Sequence, residues 1–128
     1  MLKVRIGVSL GSAGAADQFA AAVDLIEQSG IDSLWLPETI YSPSVDPFTG
    51  MAFALSRTSR LKAGSGVSVL PGRNPVLVAK QLASLAGLAP RRVLPVFGLQ
   101  PAQAGERELF PVPTGKRAAV GGTPAAAP

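Results

Sequence analysis

Asp32-Ser33-Leu34-Trp35-Leu36-Pro37-Glu38 is the stretch whose reading decides the fold. Ser33 to Leu36 is a short apolar, β-prone run, and a helical pattern stands on each side of it. Upstream, from about Ala15 to Ser29, Phe19, Val23 and Ile26 fall at i, i+4 and i+7 and make one apolar stripe, while Asp24 and Glu27 face elsewhere. Gly30 follows, where a left-handed C-terminal cap is expected. Downstream, Asp46-Pro47 starts a second helix. The Asp accepts from open helix N–H groups, and the Pro fits the first helical position without losing a bond. Phe48, Met51, Ala52 and Leu55 give that helix its stripe, and Arg57 and Arg60 are expected in its last turn, where a cation suits the helix dipole.

The same unit repeats outward along the chain. Apolar β-prone runs cover Val4 to Leu10, Ser33 to Leu36, Ala63 to Leu70 and Val93 to Leu99, and their starts lie 29, 30 and 30 residues apart. A step of about 30 residues is one βα unit. A third helix starts at Asn74-Pro75, has Val78, Leu82 and Leu85 as its stripe, and is expected to end at Gly87. The order is therefore β-α-β-α-β-α-β. Alternation of this kind implies an α/β fold with a parallel sheet. The almost continuous apolarity of the strands implies burial on both faces. From Gln100 the pattern stops, with Glu106, Arg107 and Glu108 as a candidate short helical turn. Residues 1–110 are expected to form the domain, and the Pro/Gly/Ala-rich segment 111–128, which can bury almost nothing, to be a disordered tail.

Composition narrows the function. The chain has 128 residues, 47% hydrophobic and 16% charged, a globular balance. No apolar run is long enough to span a bilayer, and the early charges at Lys3 and Arg5 argue against a secretory signal, so the cytoplasm is the expected location and no membrane partner is expected. Cysteine and histidine are both absent. That excludes disulfides, thiol chemistry, a Ser-His-Asp triad and a His-rich zinc site, and no metal is expected. The net charge of +4 is spread singly or in pairs, with one Trp and one Tyr, so no nucleic-acid partner is expected.

In parallel α/β folds, ligands bind at the carboxyl ends of the strands. Here those ends are Ser9-Leu10-Gly11-Ser12, Pro37-Glu38-Thr39, Leu70-Pro71-Gly72-Arg73 and Gly98-Leu99-Gln100. Gly7, Gly11 and Gly14 do not have dinucleotide-fingerprint spacing and read as glycines of a tight βα turn. Glu38 is the only carboxylate at a strand end. It is a candidate to bond a cofactor ring or act as a base, the alternative being a solvated loop glutamate. Gly64-Ser65-Gly66 inside an apolar strand marks a bulge or the close approach of a ligand, the alternative being tight helix–strand packing. Arg73, just before a helix start, either meets an anion or is a surface arginine.

Three passages resemble the luciferase-like monooxygenases: Asp32 to Glu38; Asp46-Pro47 with its helix and Thr58-Ser59-Arg60-Leu61; and Leu70-Pro71-Gly72-Arg73-Asn74-Pro75 followed by Ala79-Lys80-Gln81-Leu82-Ala83-Ser84-Leu85. The resemblance covers roughly residues 3 to 120. It implies a truncated (β/α)8 TIM-barrel-like domain of about four strands and three helices. It also implies FMN or coenzyme F-420 as cofactor, and hydride transfer or oxygen activation on a small organic substrate. Carried over, Glu38 falls where the family places an acidic residue near the cofactor ring. Ser65, Gly66 and Val67 fall on a bulge that backs the ring, often with a non-proline cis peptide. Thr39, next to Glu38, and Ser9 and Gly98, at two other strand ends, complete the expected cofactor-binding set, with Glu38 both in that set and the expected catalytic residue.

The chain also departs from the family pattern. Thr39 stands where deazaflavin members often have a catalytic histidine. Ala89-Pro90-Arg91-Arg92 replaces the usual Ser-Gly-Gly-Arg, and Phe97-Gly98-Leu99-Gln100-Pro101 replaces the usual glycine-rich strand end. A full barrel needs about 250 residues and usually grips phosphate on strands 7 and 8. The expectation is thus a truncated family member with little or no activity alone. The rival readings are an interaction module, pairing through open sheet edges with a second copy or a complementary half, and an open flavodoxin-like sheet, which usually has five strands.

Overall fold

A computed structural model describes residues 2–10 and 14–110. The expected tail at 111–128, and Gly11 and Ser12 of the first strand end, lie outside these described residues. The elements are β1 (Gly7–Ser9), α1 (Ala16–Gln28), β2 (Ser33–Leu36), α2 (Pro47–Arg57), β3 (Lys62–Ser65), β4 (Ser68–Val69), α3 (Pro75–Leu88), β5 (Val93–Leu94) and β6 (Phe97–Gly98), followed by a 3-10 helix at Ala104–Leu109. One parallel sheet has the order β1-β2-β3-β5, and β4 and β6 form a separate parallel pair.

The helix signals act as chemistry dictates. Gly30 adopts φ 74°, which glycine reaches without a Cβ clash. There Gly30 N donates to Glu27 O and Ile31 N to Ile26 O, the paired bonds that close a helix C-terminus. Asp46 Oδ2 accepts from Thr49 N at 2.9 Å, and Asn74 Oδ1 from Val76 N at 2.9 Å, each cap worth about 1 kcal/mol.

Three details of the helices differ from expectation. The buried residues of α2 are Pro47, Gly50, Met51, Ala54 and Leu55, so Ala54 replaces Ala52 in the stripe. The cause is a close approach at Gly50, where a Cβ would lie 2.6 Å from Leu36 Cδ1 and turn the helix away from β2. Arg60 lies past the end of α2, and its Nη2 donates to Glu27 O. In α3, Gly87 sits inside the helix, which runs on to Leu88. The chain reverses at Arg91, with φ 62°, after Ala89 N has donated to Leu85 O.

The strands differ more. Only Gly7–Ser9 of the first run joins the ladder, and Leu2, Val4 and Ile6 are exposed. The third and fourth runs each break in two. Gly64 pairs with Leu94 and Ser68 with Phe97, so one chain advances four residues while the other advances three. That extra residue is a β-bulge. The side-chain period of a strand is two, so a one-residue slip resets which face each later side chain takes. Burial is also one-sided rather than two-sided. The core of Phe19, Val23, Ile26, Leu34, Leu36, Met51 and Leu61 fills the space between the sheet and its helices. The other face, carrying Ser33, Trp35, Lys62 and Leu94, is only partly covered, because all three helices pack on one side.

Trp35 dominates that second face. Its Nε1 donates to Ser33 Oγ at 2.9 Å. A Cβ at Gly64 would lie 2.9 Å from Trp35 Cζ3 and 2.3 Å from the Leu94 carbonyl, so glycine there lets indole and neighbouring backbone share one space.

Candidate cofactor surface at the carboxyl ends of the strands

Glu38 leaves β2 on the first turn after Leu36 and its side chain is fully buried. Its Oε1 accepts from Val69 N at 2.7 Å and from Arg73 Nη1 at 2.7 Å, and its Oε2 accepts from Arg73 Nη2. Its own backbone N donates to Val67 O. Arg73 also donates to Val69 O. The guanidinium stacks between two rings, 5.9 Å from the Phe48 centroid and 5.4 Å from that of Phe110. The hydrogen bond to Glu38 raises the Arg73 pKa above its ordinary value, against the opposing effect of its own burial. Glu38 and Arg73 therefore staple the segment after the bulge to the end of β2. Of the two readings open for Arg73, the structure shows an anion partner, and that partner is Glu38.

The bulge itself has Gly66–Val67 as a cis peptide. Gly66 N donates to Leu36 O at 2.8 Å, which keeps the segment beside β2. Ser65 is fully buried, and its Oγ donates to Val96 O and accepts from Val96 N, replacing the ladder bonds lost at the break. Gly66 and Val67 are exposed above it. Gly98 lies beneath Val67, where a Cβ would come within 2.9 Å of Val67 Cγ2. Thr39 is half-buried, with Oγ1 2.7 Å from Ser42 Oγ. Ser9 is exposed on the edge strand, in register with Trp35.

The expected set thus divides. Glu38, Ser65, Gly66, Val67 and Gly98 come together around the bulge, with Thr39 following directly on Glu38. Ser9 stands apart on β1. Of this set Ser9, Gly66 and Val67 are exposed, Val67 at 39%, while Glu38 and Ser65 are committed to internal bonds. Two buried oxygens at this end, Ser68 Oγ and Glu106 Oε2, have no partner among the described residues, although Glu106 Oε1 accepts from Tyr41 N. Reading the sequence missed Arg73 as the partner of Glu38, and it missed the burial of Glu106. Arg73 follows a strand end, the one signal that pointed its way, whereas Glu106 lies in the 3-10 helix well past β6.

These residues fit a planar ring better than they fit an acid–base centre. The exposed Gly66–Val67 backbone carries no bulky side chain but Val67. The carboxylate beside it is neutralised, and the cation that neutralises it is not free to hold a phosphate.

The fold is that of a segment of a parallel β/α barrel, with this candidate surface at its carboxyl end. The model of the family described as luciferase-like monooxygenase matches residues 1–120, and the chain belongs to that family. Limonene 1,2-monooxygenase of Rhodococcus erythropolis is 36% identical over 88 residues, which is 66% of this chain and 22% of that protein. An uncharacterized protein of Mycobacterium tuberculosis is 38% identical over 66 residues, 49% of this chain and 18% of that one. The chain therefore spans about a fifth of the length of these relatives. Among solved structures, the oxygenating constituent of 3,6-diketocamphane monooxygenase of Pseudomonas putida, in complex with FMN, superposes with a TM-score of 0.74 at 16% identity, over 88% of this chain and 34% of that one. The coenzyme F420 dependent tetrahydromethanopterin reductase of Methanopyrus kandleri gives 0.65 at 19% identity, over 88% and 31%. No described helix is long and apolar enough to cross a membrane.

Proposed function

We propose that the chain supplies the surface behind the redox ring of FMN or coenzyme F-420 in a luciferase-like oxidoreductase acting on a small organic substrate. The observation that carries this reading is the exposed Gly66–Val67 bulge, fixed from below by Ser65 and Gly98 and from the side by the Glu38–Arg73 pair. When bound, such a cofactor supplies hydride transfer. The chain's own residues orient it: Gly66 and Val67 bear the ring, and Glu38 holds them in place. Both Glu38 oxygens are taken and Thr39 bonds Ser42, so neither of these residues is free to move a proton. The chain alone is expected to bind the ring without turning substrate over.

The test is anaerobic titration with FMN and with coenzyme F-420, following cofactor absorbance and the emission of the single tryptophan. Micromolar binding of either, abolished by Val67→Asp and without substrate-dependent hydride transfer, is the expected result. Absence of binding by both cofactors removes the ring-backing role. Substrate-dependent transfer removes the expectation that the chain alone does not turn substrate over.

A second reading has its own observation. The described sheet has two open edges, and apolar side chains stand exposed near both: Leu2, Val4 and Ile6 beside β1, and Val96 and Leu99 beside β5 and β6. Such edges favour pairing with a second copy, a reading that a concentration-independent monomer mass would remove.

A further inference from the structure

The amino ends of the strands, opposite the cofactor surface, hold a cavity of about 420 Å3, within the range of small-molecule sites. The residues that line it include Trp35 and the basic Lys3, Arg5, Lys62 and Arg60, against a single acidic residue, Asp32. The charges are unevenly committed. Asp32 Oδ2 accepts from Ile6 N at 2.8 Å, and Arg60 Nη2 donates to Glu27 O at 3.2 Å. Lys3, Arg5 and Lys62 have no carboxylate within ion-pair distance among the described residues. Lys62 is the informative one. It lies in β3, in register with Ser33 of β2, and is only half exposed. Like charges gathered in a concave wall focus a positive field that an anion relieves.

We propose that this amino-end cavity binds a compact phosphorylated small molecule. Lys3 and Lys62 supply point charges, Arg5 supplies the planar fork that matches phosphate oxygens, and Trp35 supplies an apolar wall for the remainder of the ligand. The site is distinct from the Gly66–Val67 surface, since the two lie at opposite ends of the strands.

Inorganic pyrophosphate is the probe, titrated at constant ionic strength because exposed charges are screened by salt. Trp35 emission reports binding directly, since it is the chain's only tryptophan and lines the cavity. A saturable change at sub-millimolar pyrophosphate is expected. Lys62→Met and Arg5→Ala should each weaken it about tenfold, roughly the loss of one charge-assisted contact, with unchanged circular dichroism. Lys80→Ala, on the outer face of α3, should leave it alone. The proposal is overturned by the absence of a saturable response at millimolar pyrophosphate. It is equally overturned by a response that persists in both Lys62→Met and Arg5→Ala, or one that Lys80→Ala weakens as much. Lys62→Met keeps the apolar stem of the side chain, so a folding defect will not be mistaken for a lost site.

Discussion

Glu38 shows how a residue type can be visible in sequence while its task is not. Its place at the end of a strand followed from the apolar run before it. Its task follows from Arg73, one βα unit further on, and nothing local to either residue announces the pair. A fully buried carboxylate needs its partner, and removing one member of a buried pair costs about 3–5 kcal/mol because the other is left uncompensated. Arg73→Ala should therefore lower the free energy of unfolding by about 3 kcal/mol or more, read from urea denaturation. Glu38→Leu combined with Arg73→Met should recover much of that loss, since replacing the pair by apolar side chains is often neutral. A loss of under about 1 kcal/mol in Arg73→Ala, the size of an exposed pair, would contradict the staple. Gly64 makes a second demand at this scale. A Cβ there meets the Leu94 carbonyl at 2.3 Å, and backbone cannot swing aside as a side-chain tip can. Gly64→Ala should destabilise by about 1–3 kcal/mol, seen as a lowered thermal midpoint. A midpoint equal to that of the parent chain would mean that β3 and β5 are not packed so closely.

Among the elements, the helices and the place of the bulge were legible, while the splitting of the third and fourth strands was not. Stripes at i, i+4 and i+7 and caps at Asp46 and Asn74 are signals written within a few residues. Gly64-Ser65-Gly66 marked a bulge between β3 and β4, but apolar residues continue on both sides of it, and only the pairing with β5 and β6 reveals the register slip and the split into two strands. The turn from α2 into β3 was likewise hidden. There Glu27, at the end of α1, accepts from the backbone N–H of Ser59 at 3.1 Å and Arg60 at 3.0 Å through Oε1, and of Leu61 at 2.8 Å through Oε2. Burial by itself would raise the Glu27 pKa, but those three N–H groups and the Ser59 hydroxyl outweigh it and hold the carboxyl below its ordinary 4.5. Because the folded pKa is depressed, the stability Glu27 contributes is fully present above about 4.5 and is lost as pH falls through the folded value. Glu27→Gln should cost about 1–3 kcal/mol at neutral pH, as bonds to a charged acceptor weaken. It should also shrink the loss of stability on acidification below 4.5, compared as urea midpoints above and below that pH. Equal acid sensitivity in the parent and in Glu27→Gln would place the responsible carboxylates elsewhere. Asp24, whose pKa the Arg57 hydrogen bond lowers, is the alternative.

For the molecule as a whole, the decisive fact is that, among the described residues, helices cover one face of the sheet and leave the other, with both edges, open. A reading from apolar content expected both faces to be buried, because apolar strands look alike whether a barrel closes over them or not. The side chains tell the two faces apart: Leu34, Leu36 and Ala63 are enclosed beneath the helices, whereas Ser33, Trp35, Lys62 and Leu94 on the other face are only partly buried. Unpaired backbone beside apolar side chains is a template for another strand, and a charge placed on an edge is the usual way such pairing is blocked. Ile6→Lys puts that charge beside β1 while keeping the backbone N that donates to Asp32 Oδ2. If the edges pair, light scattering of the parent chain should show a mass that rises with concentration, and Ile6→Lys should return it toward that of a monomer. A parent mass that stays monomeric over the same range would mean that the exposed edge is tolerated as it stands. The partly covered inner face of the described sheet would then be accessible surface, and the two proposed sites, the bulge at the carboxyl ends and the basic cavity at the amino ends, could be titrated on the single chain without competition from a second copy.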